Sequence, residues 1–186
     1  MTLLILGIAI WIVVHFIKRI APDFRQSLTD RFGDASRGII AGLLVLSVIL
    51  MVIGYKQADA NTLYTLPSWA VHLNNVLMLF AVALFGMGAS KGRARTWLRH
   101  PMLTGMAVWA VAHLLVNGDT SSVILFGAML IWSLISMRLI NAGQTEWIRP
   151  EPGPLKGDIK LIVITLVLFT IIAVIHGYIG PSPFMR

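Results

Sequence analysis

Six apolar runs, each close to the roughly 20 residues that carry a helix across a bilayer, leave this chain little choice of architecture. They cover residues 2–17, 38–55, 69–89, 101–116, 121–140 and 161–178. Across the 186 residues 57% of side chains are apolar and 12% charged, where a soluble domain carries roughly 25% charged. The expected fold is therefore an all-α polytopic membrane helix bundle of about six transmembrane helices, a single domain over 1–186. The first run lacks a basic leader and leads straight into Lys18 and Arg19 without a small-residue cleavage pattern, so it reads as a retained helix.

Charge sets the expected orientation, because Lys and Arg collect in cytoplasmic loops. Loop one carries Lys18, Arg19, Arg25, Arg31 and Arg37; loop three carries Lys91, Arg93, Arg95 and Arg99; loop five carries Arg138, Arg149, Lys156 and Lys160. Of the 15 basic residues only Lys56 and Arg186 fall on the other side. Both termini are thus expected away from the cytoplasm. The net charge of +7 becomes a topology signal, with no nucleic acid implied. In loop one, Phe24, Leu28 and Phe32 recur every four residues among Arg25, Asp30, Arg31 and Asp34, the pattern of an amphipathic segment on the cytoplasmic interface or of a solvated connector. Loop five, with Pro150, Pro152, Gly153 and Pro154, is the segment expected to be most flexible.

Ionisable residues at membrane depth are costly there and functional by default. Five qualify, all histidines: His15, His72, His100, His113 and His176. With no embedded carboxylate, they point to neutral imidazole acting as a ligand. Each taken alone also suits a hydrogen-bonded interfacial residue. The chain has no cysteine, which excludes disulfides, thiolate metal sites, iron-sulfur clusters and thioether-attached haem. Two histidines from different helices at matching depth could hold haem b in an apolar bundle, whereas zinc would want a third protein ligand. Met51, Met78, Met87, Met102, Met106 and Met129 read as packing residues.

The stretch RHPMLTGMAVWAVAHLL, with Arg99, His100, Pro101, Gly105, Trp109, His113 and Leu114, resembles the signature of the NnrU family. That family comprises bacterial membrane proteins linked with nitric oxide and nitrite respiration, and its wider group includes the plant zeta-carotene isomerase. The likeness extends to a histidine late in the first run, RFGDASRG from Arg31, Ser47, Asn117-Gly118-Asp119, Phe126-Gly127 and the closing HGYIGPSPF from His176. The resemblance implies a multi-pass protein of the bacterial inner membrane that binds haem b, as the isomerase does. Partners would be the bilayer, haem and a small apolar substrate or nitric oxide. The isomerase's proposed axial histidines fall on His15 and His113. Its candidate sulfur ligand, three residues before the second histidine, falls on Ala110, so ligand exchange with cysteine is not available here.

Depth favours a different grouping. At about 1.5 Å per residue, His15 lies roughly 4.5 Å from the edge marked by Lys18. His113 lies roughly 6 Å from the opposite edge marked by Asn117. A hydrocarbon core of about 30 Å then separates them by roughly 20 Å. His72 and His176 share the depth of His113, and His15 shares that of His100. The candidate iron ligands are therefore His113, His72, His15 and His176, with His100, Arg99 and Trp109 as further cofactor-binding candidates. One haem, or two with one near each face, would satisfy this set.

Two other functions use the same residues. The pattern Arg99-His100-Pro101 followed by Gly105 also resembles membrane methyltransferases that bind S-adenosylmethionine, although EWIRPEPGPL here lacks their paired glutamates and tyrosine. A non-catalytic assembly factor for denitrification would leave the histidines interfacial, with Arg99 and His100 as anchor and helix cap, Pro101 opening a helix, and Trp109, Trp132 and Trp147 as packing or interface residues. A homodimer is the default oligomer.

Overall fold

The computed structural model describes residues 1–180 and 182–184. Pro181 of the closing segment and Arg186, one of the two basic residues expected away from the cytoplasm, lie outside the described residues. Seven α-helices form among the described residues: α1 Thr2–Ile20, α2 Pro22–Phe32, α3 Ala35–Lys56, α4 Trp69–Met87, α5 Pro101–Val116, α6 Thr120–Gly143 and α7 Leu155–Ile179, with one 3-10 turn at Ala94–Thr96. No strand joins them there. The fold is all-helical and multi-pass. Five helices (α1, α3, α4, α6 and α7) are long and apolar enough to cross a membrane. At 16 residues α5 reaches only about 24 Å.

Helices α1, α3, α6 and α7 overrun the apolar stretches that announced them, because backbone hydrogen bonding continues through polar residues wherever nothing stops it, whereas α5 matches its stretch and α4 ends at Met87, two residues short. Thus α7 starts at Leu155 and takes in Lys156, Asp158 and Lys160, beginning directly after Pro154. Helix α2 occupies the segment of loop one that carries Phe24, Leu28 and Phe32, and it buries no residue. Pro22 occupies its first turn and Gly33, at φ 55, ends it in a backbone region that only glycine adopts cheaply. Phe24 and Phe32 are exposed on it.

The chain divides into two compact units, residues 1–63 with 119–128 and residues 64–118 with 129–186. The division falls within α6. In the first unit α1 packs on α3, and two glycines let the backbones approach, as small residues do between membrane helices. A β-carbon on Gly7 would stand 2.7 Å from the Ser47 carbonyl oxygen, and one on Gly54 would collide with the Leu4 amide. Leu4 is fully buried. Asp119 opens α6: its Oδ1 accepts the Ser122 amide at 3.0 Å, its Oδ2 accepts the Ser122 hydroxyl, and Tyr55 shares a hydrogen bond with that hydroxyl at 2.7 Å. Replacing Asp119 with alanine is expected to cost about 1 kcal/mol, with asparagine restoring most of it; thermal unfolding in detergent micelles would measure both.

In the second unit α4 is the wall against which α5 and α7 both pack. Gly105 lets α5 close on it, since a β-carbon there would stand 3.2 Å from the Ala81 carbonyl oxygen. The C-terminus of α5 leaves carbonyls without helical partners, and the Tyr64 hydroxyl donates to one of them, on Leu114. The Tyr64 amide donates to Gly118 at 3.1 Å. At the other end of the unit, Asp158 Oδ1 accepts the Ala94 amide at 3.0 Å and the Gly153 amide donates to Gly92 at 3.2 Å. Gly92, Gly153 and Gly157 all sit where a β-carbon would strike the opposing loop or helix. Loop five, for all its prolines, is therefore pinned to loop three.

Candidate functional site

His113 lies in the last turn of α5. Its Nδ1 is 3.0 Å from the Trp109 carbonyl oxygen, which can only accept, so Nδ1 carries a proton, and in the neutral ring the lone pair then belongs to Nε2. That tautomer is the one a metal-binding imidazole needs, with the second nitrogen held by a backbone carbonyl. The Trp109 indole lies against the ring, centroids 4.9 Å apart. Asn117 donates to the His113 carbonyl at 3.0 Å, fixing the end of the same turn.

Across from it, the His176 ring on α7 stands with its centroid 6.5 Å from that of His113 and its plane inclined by 60°. Both histidines line a pocket of about 60 Å³ whose floor is α4, through Val71, Asn74, Asn75 and Met78. Asn74 is buried and donates to Asn75 at 3.0 Å, while Asn75 donates to the Pro183 carbonyl at 2.9 Å. The closing segment is thereby drawn to the pocket rim. Among the described residues no three His, Asp or Glu side chains gather as a metal cluster; the arrangement is a facing pair.

The remaining candidates are placed elsewhere. His72, grouped with His113 by depth, is exposed on the first turn of α4, although its neighbour Val71 lines the pocket. His15 belongs to the first unit, where its Nδ1 is 2.8 Å from the Trp11 carbonyl oxygen and its ring 4.3 Å from the Trp11 indole. His15 and His113 therefore carry the same local device, a tryptophan four residues upstream that supplies both a carbonyl and a ring. The repetition is visible in the sequence as WIVVH and WAVAH, a signal that attention to Trp109 alone passes over.

Arg99 and His100 are committed to the end of α6. Arg99 donates to the Gln144 carbonyl, and His100 Nε2 lies 2.8 Å from Asn141 Oδ1. His100 occupies the N-cap position of α5 but its side chain makes no capping bond; Pro101 does open the helix, as expected. The motif that suggested methyl transfer thus ties loop three to α6.

These features define a class: an all-helical multi-pass membrane protein with a pair of neighbouring imidazoles, one of them tethered, in one unit and a matching tryptophan–histidine pair in the other. A family model described as NnrU protein matches residues 3–183, and the chain belongs to the NnrU family. No curated protein and no solved structure matches it.

Proposed function

We propose that this protein binds haem b in the bacterial inner membrane, where His113 and His176 would hold its iron. The facing rings carry the reading. An imidazole nitrogen bonds a metal at about 2.0–2.1 Å and lies roughly 1 Å from its ring centre, so two rings on opposite sides of one ion stand roughly 6 Å apart. The observed 6.5 Å fits that span. An inclination of 60° is accessible because each ring can turn about its own bond to the metal. The donor set suits iron in a porphyrin, which asks the protein for only two axial nitrogens.

The space between the rings needs more than the present 60 Å³, since pockets for larger ligands run to about 300–1,000 Å³. Helix α7 is the most exposed wall of the pocket and is the one that would have to move outward. His113 is held by Trp109 and Asn117 and acts as the fixed ligand; His176, on the looser helix, is the one that adjusts. Such a haem would supply one-electron transfer and a binding position for a diatomic gas such as nitric oxide. The protein then serves a redox or gas-linked role. Six crossings with both termini outside the cytoplasm accompany this reading, supported by the Lys and Arg of loops one, three and five.

Adding hemin to purified protein tests it. The expected product absorbs and gives EPR signals as a low-spin bis-imidazole haem, with one haem per chain by pyridine haemochrome. A stoichiometry of two would assign a second site to His15. Protein that stays colourless after hemin addition would end the proposal.

A further inference from the structure

Helix α2 buries none of its eleven residues, and two of them are phenylalanines, Phe24 at 53% and Phe32 at 43% exposure. Short linkers decide what such a surface can meet. Only Ala21 separates α2 from α1, and only Gly33 and Asp34 separate it from α3, reaches of about 4 to 7 Å. Helices α1 and α3 are each long and apolar enough to cross a membrane, and they pack on one another. Helix α2 is therefore held at the level where both leave the bilayer.

Its side chains are sorted around the axis. Phe24, Leu28 and Phe32 fall within about 80° of one another, Gln26 and Asp30 lie about 180° from the middle of that stripe, and Arg25 and Arg31 flank it about 60° to either side. The contacts keep this order. Gln26 Nε2 donates to Asp30 Oδ1 at 2.8 Å on the far face. The Arg31 guanidinium carbon stands 5.5 Å from the Phe32 ring centroid, and Arg25 donates to the Thr29 hydroxyl at 2.6 Å, turned from the phenylalanines toward the polar face. A polar back, an apolar front and an arginine along each edge suit a helix lying in a membrane boundary, where rings enter the acyl region and long cations reach up to phosphates.

We infer that α2 lies in the surface of the bilayer that α1 and α3 cross, with Phe24 and Phe32 inserted below the headgroups beside Leu28, Arg25 and Arg31 at the level of the phosphates, and Gln26 and Asp30 in water. The partner is the phospholipid of the host membrane, the surface that the short linkers bring within reach. The inference concerns the first unit alone and does not depend on haem.

Because the chain has no cysteine, single cysteines can be introduced along α2 and spin-labelled without background. In proteoliposomes of phosphatidylethanolamine and phosphatidylglycerol, EPR collision rates are read against oxygen, which dissolves in the acyl region, and against a nickel chelate, which stays in water. Labels at Phe24→Cys and Phe32→Cys are expected to favour oxygen and labels at Gln26→Cys and Asp30→Cys to favour the chelate, so the ratio inverts twice along the helix. Each variant leaves the other apolar residues of the stripe in place, and either phenylalanine position carries the test if the other variant does not fold. Four labels that all favour the chelate would make α2 a solvated connector. Labels at 24 and 32 shielded from both reagents would put a protein surface or a second copy over the stripe, and labels at 26 and 30 as oxygen-rich as the rest would sink the whole helix into the acyl region. Each of these outcomes overturns the inference.

Discussion

Replacing His113 with alanine is expected to lower hemin affinity by more than 100-fold and to turn the spectrum of what still binds from six-coordinate low-spin to five-coordinate high-spin. Losing only an outer-shell partner of a metal ligand typically costs 10–100-fold, so losing the ligand itself must exceed that. His176→Ala should give the same spectral change with a smaller loss of affinity, because His113 is tethered through Trp109 and Asn117 and can hold iron alone. His72→Ala should leave both quantities unchanged, its side chain being exposed outside the pocket. Haem titration of the variants, followed by absorption, separates these outcomes. If His72 and His176 exchange behaviour, the proposed ligand pair is wrong.

A second large effect is expected at Gly54. The β-carbon of alanine there would meet the backbone of Leu3 and Leu4, atoms that cannot swing aside as a side chain can. Forcing α1 and α3 apart is expected to cost about 1–3 kcal/mol or more, as overpacking does. Gly42 on the same helix has nothing within 4 Å of such a carbon, so Gly42→Ala should instead be neutral or gain up to about 1 kcal/mol of helix propensity. The opposite signs, read from unfolding in denaturant-titrated micelles, distinguish close backbone approach from a general dislike of substitution in α3. A loss at Gly42 as large as at Gly54 would remove that explanation.

Much of this architecture was legible in the residues. Apolar length announced every long helix, and the four-residue spacing of Phe24, Leu28 and Phe32 announced α2. The facing of His113 and His176 was one of the pairings that depth allowed. Depth alone could not choose between His176 and His72, because it fixes height along the membrane normal and says nothing of rotation about a helix axis. The same lack of rotational information hid the α1–α3 contact at Gly7 and Gly54, which look in sequence like Gly42. Loop five misled in the other direction. Its prolines rightly forbid a helix, but lack of regular structure is not mobility, and the hydrogen bond from Gly153 to Gly92 depends on a partner some sixty residues away that local composition cannot reveal. The tryptophan–histidine repeat was there to be read; it lies in two runs that are otherwise unalike.

Were α5 to cross the membrane, it would fall short of a hydrocarbon core of about 30 Å by about 6 Å. A bilayer meets such a shortfall by dimpling inward or by letting polar ends sink. The Tyr64 bond to Leu114 and His113 sit together at one end of this helix, so the dimple brings headgroups and water to within a turn of the imidazole. Acyl-chain length would thereby become a control on how wet that imidazole is, one that the host membrane sets without any change to the polypeptide.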